Sequence, residues 1–292
     1  MAANNMHAMN EIDCGITGTP RKLLWELLAP VRWYIRRFPW ARGKGLLVRW
    51  LIIPALPRDA SFLVQVHGGA RVRMRSRETL GLSTILYGPF EQAELDYLCG
   101  RVGAGSHAMD VGANVGLYSV AIGNAVGPSG EVLAIEPLPA NVECLRKNLA
   151  ENGLDNVRII AGAVAETAGE VELRLADDPA YASTEEVSES RGTGEVIRVQ
   201  ALPLDRIWEQ AGKPKISVIK LDVEGGELAA LRGARMMIEA AHPLLLVEAQ
   251  TAARLEGLKM LLTPLGYRYQ HPSGFAPWNH VFEWVEYGSQ AG

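Results

Sequence analysis

Beyond Gly88 the chain alternates short apolar runs with amphipathic stretches, and that alternation restricts it to very few architectures. Strands are expected at residues 107–111, 131–136, 157–163, 216–223 and 243–249. Between them lie helical patterns such as 117–126 and 140–152, the latter with Val142, Leu145 and Leu149 at helical spacing. Strands that alternate with helices form a parallel sheet covered by helices on both faces. One stretch departs from the pattern. Residues 177–195 are rich in acid, Ser, Thr and Gly and read as a loop between strands near 171–175 and 196–201, a candidate lid over an active site.

The front of the chain is different. Residues 1–60 form an appendage, polar over 1–20 and then basic and aromatic, with Pro30, Pro39, Pro54 and Pro57 cutting its helical pieces short. Residues 61–90 open with period-two alternation on either side of His67-Gly-Gly69, the pattern of a β-hairpin. Arg71, Arg73, Arg75 and Arg77 would share one face there, either solvated or turned to an anionic group. Residues 91–292 make up the alternating α/β domain. The 292 residues, 48% apolar and 21% charged, suffice for burial to drive the fold without staples. Three cysteines far apart suggest neither disulfides nor a cysteine zinc site. That fits a cytoplasmic setting.

Charge is uneven. Residues 21–58 carry nine basic side chains against Glu26, a local charge of +8, which leaves −12 for the rest of a chain with net charge −4. An acidic catalytic region argues against a nucleic-acid partner. No Lys or Arg occurs in the first twenty residues, so no export signal is read, and the apolar run 46–56 is interrupted by Arg49 and Pro54, well short of the ~20 residues a bilayer span needs. Residues 25–50 interleave Trp33, Tyr34, Phe38, Trp40 and Trp50 with arginines. They either pack on the core or a second subunit, or dock peripherally on the inner face of a membrane. Oligomeric state is not legible.

The sharpest local signal is Met109-Asp-Val-Gly-Ala-Asn-Val-Gly116, where an apolar strand runs through glycines into a helix. Such a turn lets a ligand approach the backbone and points helix N-terminal amides at it. The next strand ends in Glu136, about 20 residues on, where an open α/β sheet offers a carboxylate to a ribose diol. A dinucleotide fingerprint would place glycine where Asn114 stands. S-adenosylmethionine, with a ribose and adenine but no pyrophosphate, fits the turn better than a nicotinamide dinucleotide.

The runs Asp110-Val-Gly-Ala-Asn-Val-Gly116, Ala134-Ile-Glu-Pro137, Leu145-Arg-Lys-Asn-Leu-Ala-Glu-Asn-Gly-Leu-Asp-Asn-Val157 and Ile219-Lys-Leu-Asp-Val-Glu-Gly-Gly-Glu227 resemble, in order and spacing, the FkbM family of S-adenosylmethionine-dependent methyltransferases, over about residues 85–285. The resemblance implies a class I methyltransferase fold, Rossmann-like and α/β, whose seven-stranded sheet is mostly parallel with an antiparallel last strand, and methyl transfer to oxygen. It implies that Gly112, Ala113, Asn114 and Gly116 hold the methionine part of the cofactor with Asp110 positioning the turn, that Glu136 binds the ribose, and that Gly162 and Ala163 lie against the adenine. Glu91, in a segment resembling the one before the family's first core strand, either reaches the cofactor or caps a helix.

Asp222 and Glu224 fall at the carboxyl end of the 216–223 run, two residues apart, and would face one way if the strand continued that far. Glu248 would join the same cleft. Asn279 and His280, placed before a terminal strand 281–285, would come from its opposite rim. Transfer to a sugar hydroxyl needs a general base, for which Asp222, Glu224 and His280 are the candidates. The carboxylates Asp222, Glu224 and Glu248 suit Mg²⁺ as an alternative role. Glu227, at the start of a helix, would complement its dipole. The expected activity is O-methylation of a carbohydrate, a glycolipid or a glycosylated natural product, with a small-molecule or glycan acceptor. A NAD-linked oxidoreductase and a non-catalytic nucleotide-sensing module are the rivals. The first lacks the middle glycine and a Ser/Tyr/Lys proton relay, and turnover would exclude the second.

Overall fold

The structure, a computed structural model, describes residues 27–37, 44–56, 61–87, 90–176 and 192–286. Trp25, Phe38, Pro39, Trp40, Arg42, Pro57 and Arg58, the polar start 1–20, and residues 177–191 of the expected lid lie outside them. The chain divides into two compact units, Met1–Gln65 with Arg71–Phe90 and Val66–Ala70 with Glu91–Gly292.

In the first unit, helix α1 is Ala29–Arg37, and α2, Lys44–Leu47, continues through a π-turn, Val48–Ile52, into α3, Ile53–Ala55. Strands β1 (Ser61–Gln65) and β2 (Arg71–Arg75) pair antiparallel, with Ser61 opposite Arg75. Alternation in β2 buries Val72 and Met74 and exposes Arg71, Arg73 and Arg75. Helix α4, Thr79–Tyr87, packs between β2 and α1. Buried Ile35, Ile52, Leu56, Phe62 and Ile85 supply its apolar interior.

The second unit begins, after the hairpin turn, with α5 (Gln92–Cys99), and then alternates β3 (His107–Val111), α6 (Leu117–Val126), β4 (Glu131–Glu136), α7 (Pro139–Glu151) and β5 (Val157–Ala161). Next come β6 (Ala163–Val164), β7 (Gly169–Ala176), β8 (Gly192–Leu202) and α8 (Leu204–Gln210). The remaining elements are β9 (Ile216–Leu221), α9 (Glu227–Arg232), α10 (Arg235–Ala241), β10 (Leu244–Glu248), α11 (Ala252–Leu262), β11 (Tyr267–Gln270) and β12 (Asn279–Trp284).

Seven strands form one sheet in the order β11-β12-β10-β9-β3-β4-β5. Neighbours from β10 to β5 run parallel, and β12 alone is antiparallel to both of its neighbours. This is the class I methyltransferase sheet, mostly parallel with its last strand reversed. Strands β6, β8 and β7 form a separate three-stranded sheet. The 157–163 run is therefore two strands, not one. The chain leaves the large sheet at Gly162, whose amide donates to the Glu136 carbonyl, and Ala163 pairs with Ala201 instead. Residues 192–195, expected in the loop, belong to β8.

Period two assigns each sheet residue to a face. Met109, Val111, Leu133, Ile135, Ile219, Leu221, Leu245, Val247 and Phe282 join one apolar cluster with residues of α8, α9, α10 and α11. The opposite face receives the alternate residues Asp110, Glu136, Lys220, Glu248 and Asn279, all buried, with α6 packed over β3 and β4. Burying five polar side chains on one face is costly unless they pair. That cost marks the place to look for function. Among the described residues, no helix is long and apolar enough to cross a membrane.

Candidate active site

The turn after β3 is shaped by backbone that only certain residues tolerate. Gly112 has φ 82°, and a Cβ there would come within 1.7 Å of the Asp222 carbonyl oxygen. Asn114 is also left-handed, at φ 50°, a conformation asparagine visits more readily than most residues. Gly116 starts α6 at φ 95°, where a Cβ would strike the Leu145 side chain of α7. Asn148, one turn further along α7, donates to the Val115 carbonyl at 2.7 Å and fixes the turn from behind. Asp110 stays beneath it, accepting from the Ser119 hydroxyl of α6 at 2.5 Å.

Glu136, at the end of β4, faces the turn. Its carboxylate accepts from the Asn114 amide at 2.8 Å, the Leu138 amide at 2.9 Å and the Asn141 side chain at 3.2 Å. Burial nevertheless pushes its carboxyl up to about 7, the hydrogen bonds offsetting only part of the desolvation. A cavity of about 270 Å³ is lined by the turn residues Gly112 and Asn114, by Glu136, by Gly162, Ala163 and the apolar side chains Leu138, Val171 and Leu173, and by Asp222, Val223 and Glu224. A buried carboxylate beside an apolar slot suits a ribose diol joined to an adenine. The residues present thus fit a nucleoside cofactor.

Strand β9 stops at Leu221, so Asp222 and Glu224 do not converge through strand parity. A loop brings them together. Glu224 is left-handed at φ 52° and Gly225 follows at φ 111°. The Glu227 carboxylate accepts from the amides of Val223 and Gly225, at 3.1 and 3.0 Å, and so fixes the loop rather than serving only the dipole of α9. Asp222, Glu224 and Glu248 consequently offer carboxylate oxygens within 4.8 Å of one another. Gln250 bridges Glu224 and Glu248, at 3.2 and 3.4 Å.

Lys220 lies in the interior of β9 with its ammonium 3.0 Å from Asp222. Burial works against its charge, but the surrounding Asp222, Glu91, Asp110 and Glu248 outweigh that and raise its pKa. Burial likewise pushes Asp222 up, and Lys220 with a hydrogen bond from Glu248 more than reverses it, leaving the Asp222 carboxyl below its ordinary range. Glu248 is raised by burial and by the Asp222 charge, and therefore carries the shared proton. Burial, then Asp222 and Glu227, push Glu224 up to about 8. The cluster thus holds one ionised aspartate paired to a lysine and a neighbouring glutamate that titrates near neutrality.

Glu91 does not cap α5 through its side chain. Its carboxylate accepts from the Tyr118 hydroxyl at 2.8 Å and the Asn279 amide at 2.7 Å, and lies near enough to Lys220 and Asp222 to feel their charges. Among the described residues, Glu91 and Asp110 support the site from outside the cavity wall, whereas Gly112, Asn114, Glu136, Gly162, Ala163, Asp222 and Glu224 form part of the wall. Asn279 and His280 are already in β12. Asn279 is opposite Glu248, but His280 is opposite Val247 and so points to the other face, where its ring nitrogens lie 3.3 Å from the Tyr269 hydroxyl and from the Ala249 carbonyl. The structure does not bring His280 to the carboxylates. Nothing local in the sequence assigns a role to Lys220, Tyr118 or Asn148. A lysine inside the apolar run Ile216-Ser-Val-Ile-Lys-Leu221 was the available signal, since lysines are almost never fully buried unpaired.

The Glu136 environment predicts two measurable effects of Glu136→Gln. Loss of a charged acceptor for a ribose diol should weaken cofactor binding at least about tenfold by calorimetry, corresponding to roughly 1.5–3 kcal/mol. A carboxyl raised in the folded state contributes stability below the unfolded value of about 4.5 and loses it as pH rises through about 7. The ligand-free protein should therefore lose up to about 3 kcal/mol across that window through this group. Thermal unfolding of the Gln variant should show a correspondingly shallower decline.

The family model described as Methyltransferase FkbM domain matches residues 110–269, which include the glycine turn, Glu136 and the carboxylate loop. A probable cobalt-precorrin-6B C(15)-methyltransferase (decarboxylating) of Sulfolobus acidocaldarius is 37% identical over 30% of this chain and 46% of its own. The methyltransferase sdnD of Sordaria araneosa is 28% identical over 43% of this chain and 59% of its own. The chain thus spans about half the length of these curated relatives. The crystal structure of methyltransferase FkbM from Methylobacillus flagellatus KT is similar over 62% of this chain and 44% of its own, with 20% identity and a TM-score of 0.44.

Proposed function

Since the chain belongs to the methyltransferase FkbM domain family, we propose that it transfers the methyl group of S-adenosylmethionine to a hydroxyl oxygen of a carbohydrate, a glycolipid or a glycosylated natural product. The observation that carries the reading is the loop after β9, which puts Asp222 and Glu224 on the wall of the same cavity as Glu136 and the Gly112 turn. When bound, S-adenosylmethionine supplies an electrophilic methyl group on a sulfonium that is already a good leaving group. The chain has then to hold, orient and deprotonate. In this reading Gly112, Ala113, Asn114 and Gly116 hold the methionine part, Glu136 accepts from the ribose hydroxyls, and Gly162 and Ala163 lie against the adenine.

Glu224 takes the acceptor proton. Its pKa near 8 suits a base working around neutral pH, where proton transfer by a positioned group typically contributes 10²–10⁴-fold. Asp222, kept ionised by Lys220, orients the acceptor hydroxyl, and alignment of the two reactants supplies much of the remaining acceleration. A second reading makes Asp222, Glu224 and Glu248 ligands for Mg²⁺, favoured by their mutual approach within 4.8 Å. The Lys220 ammonium, at 3.0 Å from Asp222, already supplies a cation there, so the base reading is preferred. Loss of turnover with EDTA and its return with Mg²⁺ would reverse the preference.

Carboxylates able to take a hydroxyl proton support the oxygen acceptor, and the carbohydrate is part of the proposal. The cobalt-precorrin relative named above is a C(15)-methyltransferase, so the product decides. Isotope-labelled S-adenosylmethionine, incubated with the protein and a panel of glycans and glycolipids, should yield a methyl ether that survives mild alkali. Label released by alkali as a carboxyl ester, or found on carbon, would refute O-alkylation of a hydroxyl. Cofactor binding without turnover on any acceptor would favour the sensing module.

A further inference from the structure

We propose that the first unit carries a docking face for an anionic lipid surface. Across α2, the π-turn and α3, Ile52, Ala55 and Leu56 recur at helical spacing and are buried, while Leu46, Arg49 and Trp50 recur at the same spacing and are exposed. Helix α1 repeats the arrangement, burying Ile35, with Leu28 just before the helix also buried, and exposing Trp33. Trp33, Leu46 and Trp50 are 62%, 63% and 68% accessible. Single exposed apolar residues are ordinary, but Leu46 and Trp50 lie one helical turn apart on the same face, and exposed apolar neighbours of that kind mark an interaction site. The Arg49 guanidinium lies 5.8 Å from the Trp50 ring centre, a cation held over an amphipathic aromatic.

Charge selects the occupant. The 21–58 segment carries +8, and β2 of the same unit exposes Arg71, Arg73 and Arg75, the last of them paired with Glu78 at 2.9 Å. A second copy of this chain would set that charge against itself, and like charges facing one another suppress association. An anionic bilayer instead offers both things the face presents a need for, negative headgroups for the arginines and an interfacial zone where tryptophan rings are favoured. Each basic side chain held near such a surface contributes on the order of fivefold in partitioning. With no spanning helix among the described residues, the attachment is peripheral and reversible.

The test is flotation of the full chain with phosphatidylcholine vesicles, with and without phosphatidylglycerol, at low and high salt. The chain should float with the anionic vesicles at low salt, and binding should fall at least about tenfold on neutral vesicles or at high salt, where the screening length shrinks. Trp33→Ala combined with Trp50→Ala should also lose at least about tenfold, with calorimetric binding of S-adenosylmethionine unchanged. Should that variant fail to fold, quenching of wild-type tryptophan emission by brominated lipid tests the same insertion without mutation. No flotation on anionic vesicles, no quenching, or flotation of the variant equal to wild type overturns the proposal. So does a wild-type dimer that the double variant dissociates while neither form binds vesicles, because the face would then belong to a second copy.

Discussion

Gly112→Ala should abolish S-adenosylmethionine binding and cost the fold more than about 3 kcal/mol, although it adds a single methyl group. Two costs combine. A non-glycine residue at φ 82° pays roughly 1–3 kcal/mol in backbone strain. The added Cβ would also sit 1.7 Å from the Asp222 carbonyl oxygen and 2.8 Å from its carbonyl carbon. Those are backbone atoms that cannot rotate away, and both sides are tied down, the Gly112 amide to the Ile135 carbonyl and the Asp222 amide to the Val111 carbonyl, each at 2.9 Å. Relief requires the two loops to separate, with an overpacking cost of about 1–3 kcal/mol or more. That movement displaces the walls of the cavity at the turn and at the carboxylates together. Gly153→Ala supplies the control. Gly153 has φ 62° but open space where its Cβ would go, so it should show the strain alone and keep cofactor affinity. Thermal unfolding and calorimetry on the pair separate the terms. Equal losses in both variants would mean that the contact between Gly112 and Asp222 is not what constrains the site.

What could be read in the sequence follows from how local its cause is. The boundaries of β3, α6 and β4 were legible because apolar periodicity and the glycine turn act within a dozen residues. Glu136 was legible for the same reason, as the end of the strand that follows the turn. The faces of the sheet depend on register between strands far apart in sequence, and there local reading fails. His280 and Asn279 are adjacent in sequence, yet pairing with Val247 and Glu248 sends them to opposite faces. Strand parity brings Asp222 and Glu224 together only on the premise of a longer strand. Their convergence is made by a left-handed glutamate and by Glu227 reaching back to the loop amides, neither of which period two contains. Lys220 went unassigned because its partners come from elements distributed from α5 to β10, and only the fold assembles the countercharge that makes its burial tolerable.

Asp222→Asn and Glu224→Gln should both reduce turnover by about 10²–10⁴-fold, the range spanned by general-base contributions, yet they should differ in every other respect. Asp222 is the ion-pair partner of Lys220, whose side chain is only 3% exposed. Neutralising Asp222 leaves that ammonium without its nearest countercharge, at a cost below the ~3–5 kcal/mol of a fully buried pair, because Asp222 is 31% exposed and Glu91, Asp110 and Glu248 remain around Lys220. The Asn variant should therefore unfold at lower temperature as well as turn over slowly. Glu224 contributes the opposite sign. Its carboxyl is raised to about 8, so its contribution to stability is present below about 4.5 and is lost as pH climbs towards 8. The Gln variant, which never acquires that charge, should be as stable as wild type near pH 5 and more stable near pH 9. Catalysis follows the same titration in reverse, because a base acts only when deprotonated. Wild-type turnover should rise with pH and level off above about 8, and the Gln variant should lose that rising limb while still binding S-adenosylmethionine. Full activity in both variants removes these carboxylates from the chemistry, and an unchanged rising limb in Glu224→Gln assigns that titration to another group, which is not Asp222, because Lys220 and Glu248 hold its carboxyl below its ordinary range.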